Sequence, residues 1–428
     1  MTAEQLIQKL IHCKGIKISD FHLDQDEMLL HLWVKPHKNG ARCPVCGRRS
    51  KLVKNADRPE RAWTDMPMGE WKVKYHYCPK EVLCPTHGRR QEDIPWASMY
   101  SRFTFRFEHL MLAYASVMTL RAAAELLRVP ISTLSDNLHK CITRARDGHK
   151  ITNLKSIGID EISYEKGRKF ATIVYDLERS CVLWVGKGKG RETIDEFFEE
   201  VLGQEAANRI TTASCDLGEA YIGAIEHYCK NATLVLDRFH VVKLLNKAVD
   251  DVRKEEWREL DGADKKSMKG LRWLLYRHSR TRTKEATQVL NALKKSNNRI
   301  FRAWVLKDEF EQIWNYKYKK RAEDFLSAWI TRALRSRIPS MKKFAKTMRR
   351  HFDKIVAFST TRLTNAIAEG LNRILKIIKN RASGYSNLKV YSDIIFLTVG
   401  DVDISAQIPD GFRAESAGHI GAGLGSKG

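Results

Sequence analysis

Three short apolar runs in the middle of the chain each end on an aspartate. "SIGI" precedes Asp160, "ITTASC" precedes Asp216, and "TLVL" precedes Asp237. Short apolar runs bounded by turn signals are typical of buried strands. A single strand-ending carboxylate is commonly no more than a solvated strand end. Three on neighbouring strands instead predict a carboxylate cluster at one edge of a sheet.

The surrounding sequence sets the fold class. "SIGIDEISY", "KFATIVYDLE" and "CVLWVGKG" follow one another closely, which predicts an antiparallel meander. An acidic helix, a strand, a helix and the strand before Asp237 complete the order β-β-β-α-β-α-β, which predicts a mixed α/β sheet with helices on its faces. Residues 241–351 have an almost wholly helical pattern. A further helix in "TNAIAEGLNRILKIIKN" carries Glu369.

A fourth carboxylate on a packed helix, together with the three aspartates, would provide ligands for metal-dependent phosphodiester cleavage. Two-magnesium catalysis needs hard oxygen ligands around ions that lie roughly 4 Å apart. Asp160, Asp216, Asp237 and Glu369 are the four candidates. Glu161 is expected to point to the opposite face of its strand, because side chains alternate along a strand.

Two tight turns near the N-terminus carry metal-binding residue types. "ARCPVCGRRS" and "VLCPTHGRR" share a Pro and Gly pattern, and strand-like sequence separates them. Four soft or borderline ligands from two such turns predict a zinc ribbon. The predicted ligands are Cys43, Cys46, Cys84 and His87. Cys78 and His76 are alternative ligands, and free buried cysteines are the alternative to a metal site.

A helical pattern with a break follows the ribbon. "TLRAAAELLRVPISTLSDNLHKC" contains an alanine-rich helix, a break at Val129–Pro130, and a second helix for which we expect a cap at Ser132 or Thr133. This rhythm predicts a helix-turn-helix, although any short helical hairpin can look similar. The expected DNA-contacting residues on the second helix are Ser132, Thr133, Ser135 and Asn137.

The charge of the chain favours a nucleic-acid partner. Its formal net charge is +24, with 75 Lys and Arg against 51 Asp and Glu. Such an excess is typical of proteins that neutralise phosphates, although a generic basic protein has it too. We expect no membrane span, since no apolar run approaches about 18 residues. The nine cysteines, several in apolar segments, fit a reducing cytoplasm.

Together these motifs resemble a known family. Residues 41 to about 400 resemble bacterial insertion-sequence transposases of the ISL-three type, through "CPVCG…CPTHG", "WTDMPMG", "GIDEIS", "CDLGEAY", "LDRFHVVKLLNKAVDDVR" and "TNAIAEGLNRILKIIKNRASGY". The resemblance implies a ribonuclease-H-like DDE enzyme with two Mg²⁺ (or Mn²⁺) ions per active site and a structural Zn²⁺. It implies cleavage and strand transfer at terminal inverted repeats, without a covalent protein–DNA intermediate. His87 departs from the family, which usually has a cysteine there.

The resemblance also assigns the remaining residues. In such a sheet the first and fourth strands are neighbours, so we assign the catalytic residues as Asp160, Asp216 and Glu369, the Mg²⁺ ligands, in preference to Asp237. We expect four further residues either to support the metal ligands or to contact the DNA backbone, namely Asp237, Arg238, His240 and Asn365. Lys376, Lys379 and Arg381 are predicted phosphate contacts, with a solvated helical face as the alternative.

These predictions divide the chain into six segments. They are a helix and zinc ribbon (1–95), a helix-turn-helix (96–150), the first part of the catalytic core (151–240), an all-helical insertion (241–355), the glutamate-bearing helix of the core (356–405), and a flexible tail (406–428). The expected partners are terminal inverted repeats, target DNA and a second copy of the chain, in the bacterial cytoplasm at the nucleoid. Two alternatives are a DNA-binding regulator with an inactive catalytic fold and a host nuclease.

Overall fold

The protein comprises two compact units. One contains residues 1–150 and 377–428, and the other contains residues 151–376. The computed structural model describes residues 1–11, 15–36, 41–53, 58–147, 151–165, 169–259, 271–276, 283–284, 288–289, 292, 298–363 and 366–402. Among these residues, no helix has the length and apolar character that crossing a membrane requires.

The first unit begins with helix α1 (Ala3–Ile11) and two small sheets. A four-stranded sheet has the order β1-β2-β5-β4 and a three-stranded sheet has the order β3-β6-β7. Trp63, Tyr75 and Trp96 are fully buried on one face of the larger sheet. The strands are β1 (Ile16–Asp24), β2 (Leu29–Pro36), β3 (Lys51–Leu52), β4 (Arg61–Met68), β5 (Trp71–Tyr77), β6 (Glu81–Cys84) and β7 (Gly88–Gln91).

Three helices follow, namely α2 (Phe105–Val117), α3 (Leu120–Leu127) and α4 (Ile131–Arg146). The side chain of Thr119 caps α3 by accepting a hydrogen bond from the amide of Ala122. The predicted cap of α4 is wrong. That helix begins at Ile131 with Pro130 as its N-cap, so Ser132 and Thr133 lie inside its first turn.

The second unit contains a five-stranded sheet. Its order is β10-β9-β8-β11-β12; β9 is antiparallel to both neighbours, and β11 is parallel to β8 and β12. The predicted meander, mixed α/β fold and adjacency of the first and fourth strands are therefore confirmed. The strands are β8 (Ser156–Glu165), β9 (Lys169–Asp176), β10 (Cys181–Lys187), β11 (Thr212–Cys215) and β12 (Thr233–Leu236).

Helices connect the last strands of this sheet and extend beyond it. They are α5 (Arg191–Glu196), which continues as a π-helix (Phe197–Leu202), α6 (Gln204–Ala207), α7 (Glu219–Tyr228), α8 (Arg238–Glu259), α9 (Leu271–Tyr276), α10 (Asn298–Phe310) with a 3₁₀ turn (Glu311–Asn315), α11 (Lys319–Arg335), α12 (Pro339–Arg350), α13 (Phe352–Val356), α14 (Phe358–Thr361) and α15 (Ala366–Arg381). The described residues of 241–351 are mostly helical, as predicted.

The helical region and the sheet share one apolar core. Leu236 of β12, Val241 of α8, Trp329 of α11 and Phe344 of α12 belong to a single cluster of buried residues. The helical region therefore covers the sheet instead of folding around a core of its own.

The last helix within the described residues, α16 (Leu388–Val399), belongs to the first unit and packs on α4. There Nδ1 of His139 lies 3.1 Å from Oδ2 of the buried Asp393. The boundary between the two units falls after Lys376, inside α15.

Candidate active site and metal centre

The ladders that join the parallel strands of the second unit end at the same level. The last rung of their ladder joins Ile159 to Cys215 and Cys215 to Leu236. The residue that follows each of these three positions is an aspartate, namely Asp160, Asp216 and Asp237. Because the strands are parallel and in register, all three aspartates lie at the same edge of the ladder.

Asp160 does not end its strand, contrary to the prediction. β8 continues to Glu165 and pairs beyond Ile159 with β9 alone, so Asp160 lies where the shorter β11 stops. Asp160 is 8% exposed, and its carboxylate accepts hydrogen bonds from the amide of Glu161 (2.7 Å) and from Nδ2 of Asn372 (2.5 Å). Burial raises the pKa of Asp160, and the negative charge of Asp216 acts in the same direction, whereas the hydrogen bonds oppose it.

Asp216 lies in the turn between β11 and α7. Its Oδ1 accepts a hydrogen bond of 2.8 Å from the amide of Gly218, the residue that precedes α7. A Cβ atom on Gly218 would lie 2.8 Å from that same oxygen. A side chain at position 218 would therefore crowd the Asp216 carboxylate, whereas the φ of −72° would itself admit any residue.

The carboxylate of Asp237 has a structural role at the start of α8. The residue is 4% exposed, and its Oδ1 accepts a hydrogen bond of 2.9 Å from the amide of Phe239 at the start of α8. Its Oδ2 lies 3.7 Å from Nε2 of His240, whose charge acts to lower the pKa of Asp160. Arg238 is exposed, and its guanidinium carbon lies 5.7 Å from the centre of the Trp314 ring. Asp237 thus caps α8 and holds a histidine that is electrostatically coupled to Asp160.

Glu369 is exposed in the first turn of α15, and Asn372 follows one turn later. Besides donating to Asp160, Asn372 accepts a hydrogen bond of 2.5 Å from the hydroxyl of Tyr175 on β9. Residues three apart lie on the same side of a helix, so this bridge holds the side of α15 that carries Glu369 against the sheet. Asn365 lies outside the described residues.

The contacts of Asn372, Tyr175 and Gly218 with the site were not predicted from the sequence. The spacing of Asn372 from Glu369 is the one sequence signal that could have indicated its role, because a polar residue at i+3 shares the helix side of the glutamate. The side chains of Asp160, Asp216 and Glu369 carry carboxylate oxygens, the donor type that Mg²⁺ prefers. Among the described residues, these three carboxylates do not converge as closely as the Cys/His group of the first unit.

That Cys/His group brings together the two tight turns that the sequence predicts as a zinc ribbon. The ligand atoms of Cys43, Cys46, Cys84 and His87 all lie within 4.8 Å of one another. The Sγ atoms of Cys46 and Cys84 are 3.7 Å apart, and Nδ1 of His87 lies 3.6 Å from Sγ of Cys84. These separations match the edge of a tetrahedron with zinc–sulfur bonds of about 2.3 Å, so this group could bind zinc.

Two further observations concern the ligands. Although burial opposes it, hydrogen bonds from the backbone and ring of His87 lower the pKa of Cys84 to about 6, which favours the thiolate that binds metals. The alternative ligands do not join the group within the described part of the chain. His76 is bonded to Glu60 (3.0 Å) and His31 (2.8 Å), and Cys78 is exposed.

The predicted DNA-contacting residues differ in exposure. Ser132 on α4 and Lys376 on α15 are exposed; Thr133, Ser135, Lys379 and Arg381 are half-buried. Asn137 is 5% exposed and faces the core, so it cannot contact a partner at the surface. Arg381 donates a hydrogen bond of 3.1 Å to the carbonyl of Ser116.

Comparisons with known proteins find transposases that are similar to this chain. The family model of ISL3-type DDE transposases, described as a transposase, matches residues 157–395. The transposase of insertion sequence element IS1001 from Bordetella parapertussis is 30% identical over 399 residues, which cover 91% of this chain and 97% of that protein. The transposase of IS1557 from Mycobacterium tuberculosis is 26% identical over 384 residues, covering 84% and 85%. The Drosophila P element transposase strand transfer complex is a structural neighbour with a TM-score of 0.35 and 12% identity, covering 74% of this chain and 94% of that one.

The sequence matches, together with the mixed sheet and the aspartates that follow the last rung of its parallel ladder, define an enzyme of the transposase class. The chain belongs to the ISL3-type family of DDE insertion-sequence transposases.

Proposed function

We propose that this transposase cleaves and joins DNA with Asp160, Asp216 and Glu369 as its catalytic carboxylates. One observation carries the proposal: Asp160 and Asp216 follow the same rung of adjacent parallel strands, and Asn372 ties the helix of Glu369 to Asp160. The strand order β10-β9-β8-β11-β12, with an antiparallel β9, supports a ribonuclease-H-like core.

Strand order also favours Asp216 over Asp237. β11 lies beside β8, at the usual strand separation of about 4.8 Å, whereas β12 lies one strand farther away. Asp237 is already engaged as the cap of α8 and as the partner of His240. We therefore propose that Asp237, Arg238 and His240 support the site instead of holding its metal.

The proposed cofactor is Mg²⁺ or Mn²⁺, two ions per site. When bound, such ions activate water and stabilise the leaving oxygen in phosphoryl transfer. Asp160, Asp216 and Glu369 would hold them, Asn372 fixes the orientation of the Asp160 carboxylate, and the amide of Gly218 fixes that of Asp216. These hydrogen bonds would keep the carboxylates in place.

The first unit is the proposed DNA-binding part. Zinc held by Cys43, Cys46, Cys84 and His87 would stabilise the ribbon, and α3 with α4 would act as a helix-turn-helix. Ser132, Thr133 and Ser135 are the proposed base contacts; Lys376, Lys379 and Arg381 are proposed phosphate contacts. The proposed partners are the terminal inverted repeats and target DNA, bound by a homodimer.

Paired substitutions test the catalytic assignment. Asp216→Asn should abolish Mg²⁺-dependent cleavage of end-sequence DNA while leaving specific binding intact, and Asp237→Asn, which keeps an oxygen for the cap, should retain cleavage. An active Asp216→Asn protein would overturn the assignment. Strand-transfer products from the native enzyme would exclude both an inactive regulator and a nuclease that only cuts.

A further inference from the structure

One short stretch of the second unit holds a large share of the positive charge. Residues 332–354 contain nine lysines and arginines and a single acid, Asp353. Their net charge of +8 is one third of the chain's +24, within about a twentieth of its length. Such a concentration of one sign is not needed for solubility, for which surfaces usually intersperse both signs.

The centre of this stretch is α12, which has two distinct faces. Met341, Phe344, Ala345 and Met348 are buried against the shared core. The opposite face carries exposed cations and no acid, and its members are Lys343, Lys346, Arg349 and Arg350. Neighbouring like charges on a helix destabilise it, so this face has a cost that burial of the apolar face must offset.

Most of these cations have no acidic partner among the residues that the structure describes. Across the described ranges, Lys343, Lys346 and Arg349 form no ion pair, whereas Arg350 lies 3.0 Å from Oε1 of Glu219. By contrast, Lys319 and Lys320 at the start of α11 are paired with Glu323 and Asp324. The face of α12 therefore offers unneutralised charge to an external partner.

The position of Arg350 links this face to the catalytic carboxylates. Its partner Glu219 is the first residue of α7 and directly follows Gly218, whose amide binds Asp216. Lys354 lies one turn beyond the end of α12, and its Nζ is 2.8 Å from Oε1 of Glu226, which is also on α7. The C-terminal end of the cationic face thus lies beside the turn that holds Asp216.

We propose that the cationic face of α12 (Lys343, Lys346, Arg349 and Arg350) binds the phosphate backbone of duplex DNA next to the phosphate that is cleaved. This inference rests on the proposed catalytic function of Asp216. The face extends about 10 Å from Lys343 to Arg350, at 1.5 Å per residue, which is about three nucleotide rises along one strand. Phosphate contacts of this type position the duplex without reading its sequence.

Salt-dependent DNA binding tests the proposal. The variant K343A/K346A/R349A should reduce the slope of log affinity against log salt by about 3, because each lost phosphate contact removes about 0.9. Affinity for end-sequence and random duplexes should fall by the same factor, about tenfold or more at 0.15 M salt. Alanine favours helix, so an unchanged circular dichroism spectrum and melting temperature confirm that the variant is folded.

The matched control is K319A/K320A/R321A, which removes the same charge from a face of α11 where the lysines have acidic partners. We expect a clearly smaller change in slope. An unchanged slope in the α12 variant would show that its cations do not contact phosphates, and an equal decrease in both variants would show that only overall charge matters. Either result would overturn the proposal.

Crosslinking then identifies the DNA. A photoreactive residue in place of Lys346 should label strands within a few nucleotides of the cleaved phosphate, with separately labelled element-end and target duplexes distinguishing the two sources. A membrane partner would be indicated if neither duplex is labelled and if the native protein binds anionic vesicles whereas the α12 variant does not. That result would refute the DNA contact. Asp216→Asn should keep the full salt slope, so a failure of the catalytic assignment is separable from a failure of this surface.

Discussion

Nδ2 of Asn372 lies 2.5 Å from Oδ2 of Asp160, although the two residues are 212 positions apart in the chain. The same amide group accepts a hydrogen bond from Tyr175, so Asn372 is held on both sides. This contact connects the helix that carries Glu369 to the strand that carries the first aspartate.

Asn372→Ala should reduce cleavage about 10- to 100-fold and raise the Mg²⁺ concentration needed for half-maximal rate, because groups that orient metal ligands typically contribute that much. The measurement is the cleavage rate as a function of Mg²⁺. Asn380→Ala, at an exposed position of the same helix, is the control. An unchanged Mg²⁺ dependence would mean that Asn372 has no role in orienting the site.

Gly218→Ala should lower cleavage by at least about tenfold, since a Cβ 2.8 Å from Oδ1 of Asp216 must displace the carboxylate, and small misplacements at a reacting centre are costly. Single-turnover cleavage and DNA binding should be measured together, with binding unchanged. In Gly223→Ala, on α7, the new Cβ meets only the flexible end of Arg191 at 3.0 Å, so this control should remain active. Equal activity of the two variants would contradict the steric argument.

Cys84→Ser should remove bound zinc and lower the melting temperature, because a structural zinc site contributes folding free energy directly. Metal analysis of the purified protein gives the zinc content per chain. His87→Cys should retain one zinc, since both residue types are zinc ligands, and Cys78→Ser should retain it as well. Loss of zinc in Cys78→Ser alone would move the fourth ligand away from His87.

Because His109 is buried, we predict that the first unit is less stable to unfolding at acidic pH. This histidine is 3% exposed on α2, neither ring nitrogen has a hydrogen-bond partner within the described structure, and burial lowers its pKa. In acid the unfolded chain therefore binds a proton at this residue that the folded protein does not. This difference leaves the free energy of unfolding unchanged above the ordinary histidine pKa of about 6.5. As pH falls below that value, the free energy of unfolding decreases by up to about 1.4 kcal/mol per pH unit.

His109→Leu should accordingly be stabilised relative to the native protein more at pH 5.5 than at pH 8. Melting temperatures across this range measure the difference. His227→Leu, at an exposed position of α7, should show no such trend. A pH-independent difference for His109→Leu would indicate a packing effect instead of titration.

The sheet and its carboxylates could be predicted because their signals are local. In each parallel strand a short apolar run is followed directly by an aspartate, and the adjacency of the first and fourth strands was expected from the family resemblance. The four zinc ligands are likewise visible as two repeated turns. In each case the residues that act together also share a pattern in the chain.

Other features depend on packing that no local pattern contains. The burial of Asn137 depends on which side of α4 faces its neighbours. The pairing of β8 with β9 beyond Ile159 depends on the shorter length of β11, which places Asp160 inside a strand. The role of Asn372 depends on a contact between segments that are far apart in the chain.

Asp216 and Asp237 share one local geometry, in which Oδ1 accepts a hydrogen bond from the amide two residues later. Asp176, which ends the antiparallel strand β9, makes the same contact with Glu178 at 2.8 Å. Three aspartates thus adopt the common Asx-turn, and at Asp176 it forms part of the turn between β9 and β10. The turn would allow an aspartate at any of these positions to persist through evolution for its backbone contact alone. An aspartate retained across relatives at such a strand end is consequently poor evidence of catalysis unless its neighbour in the sheet is also known.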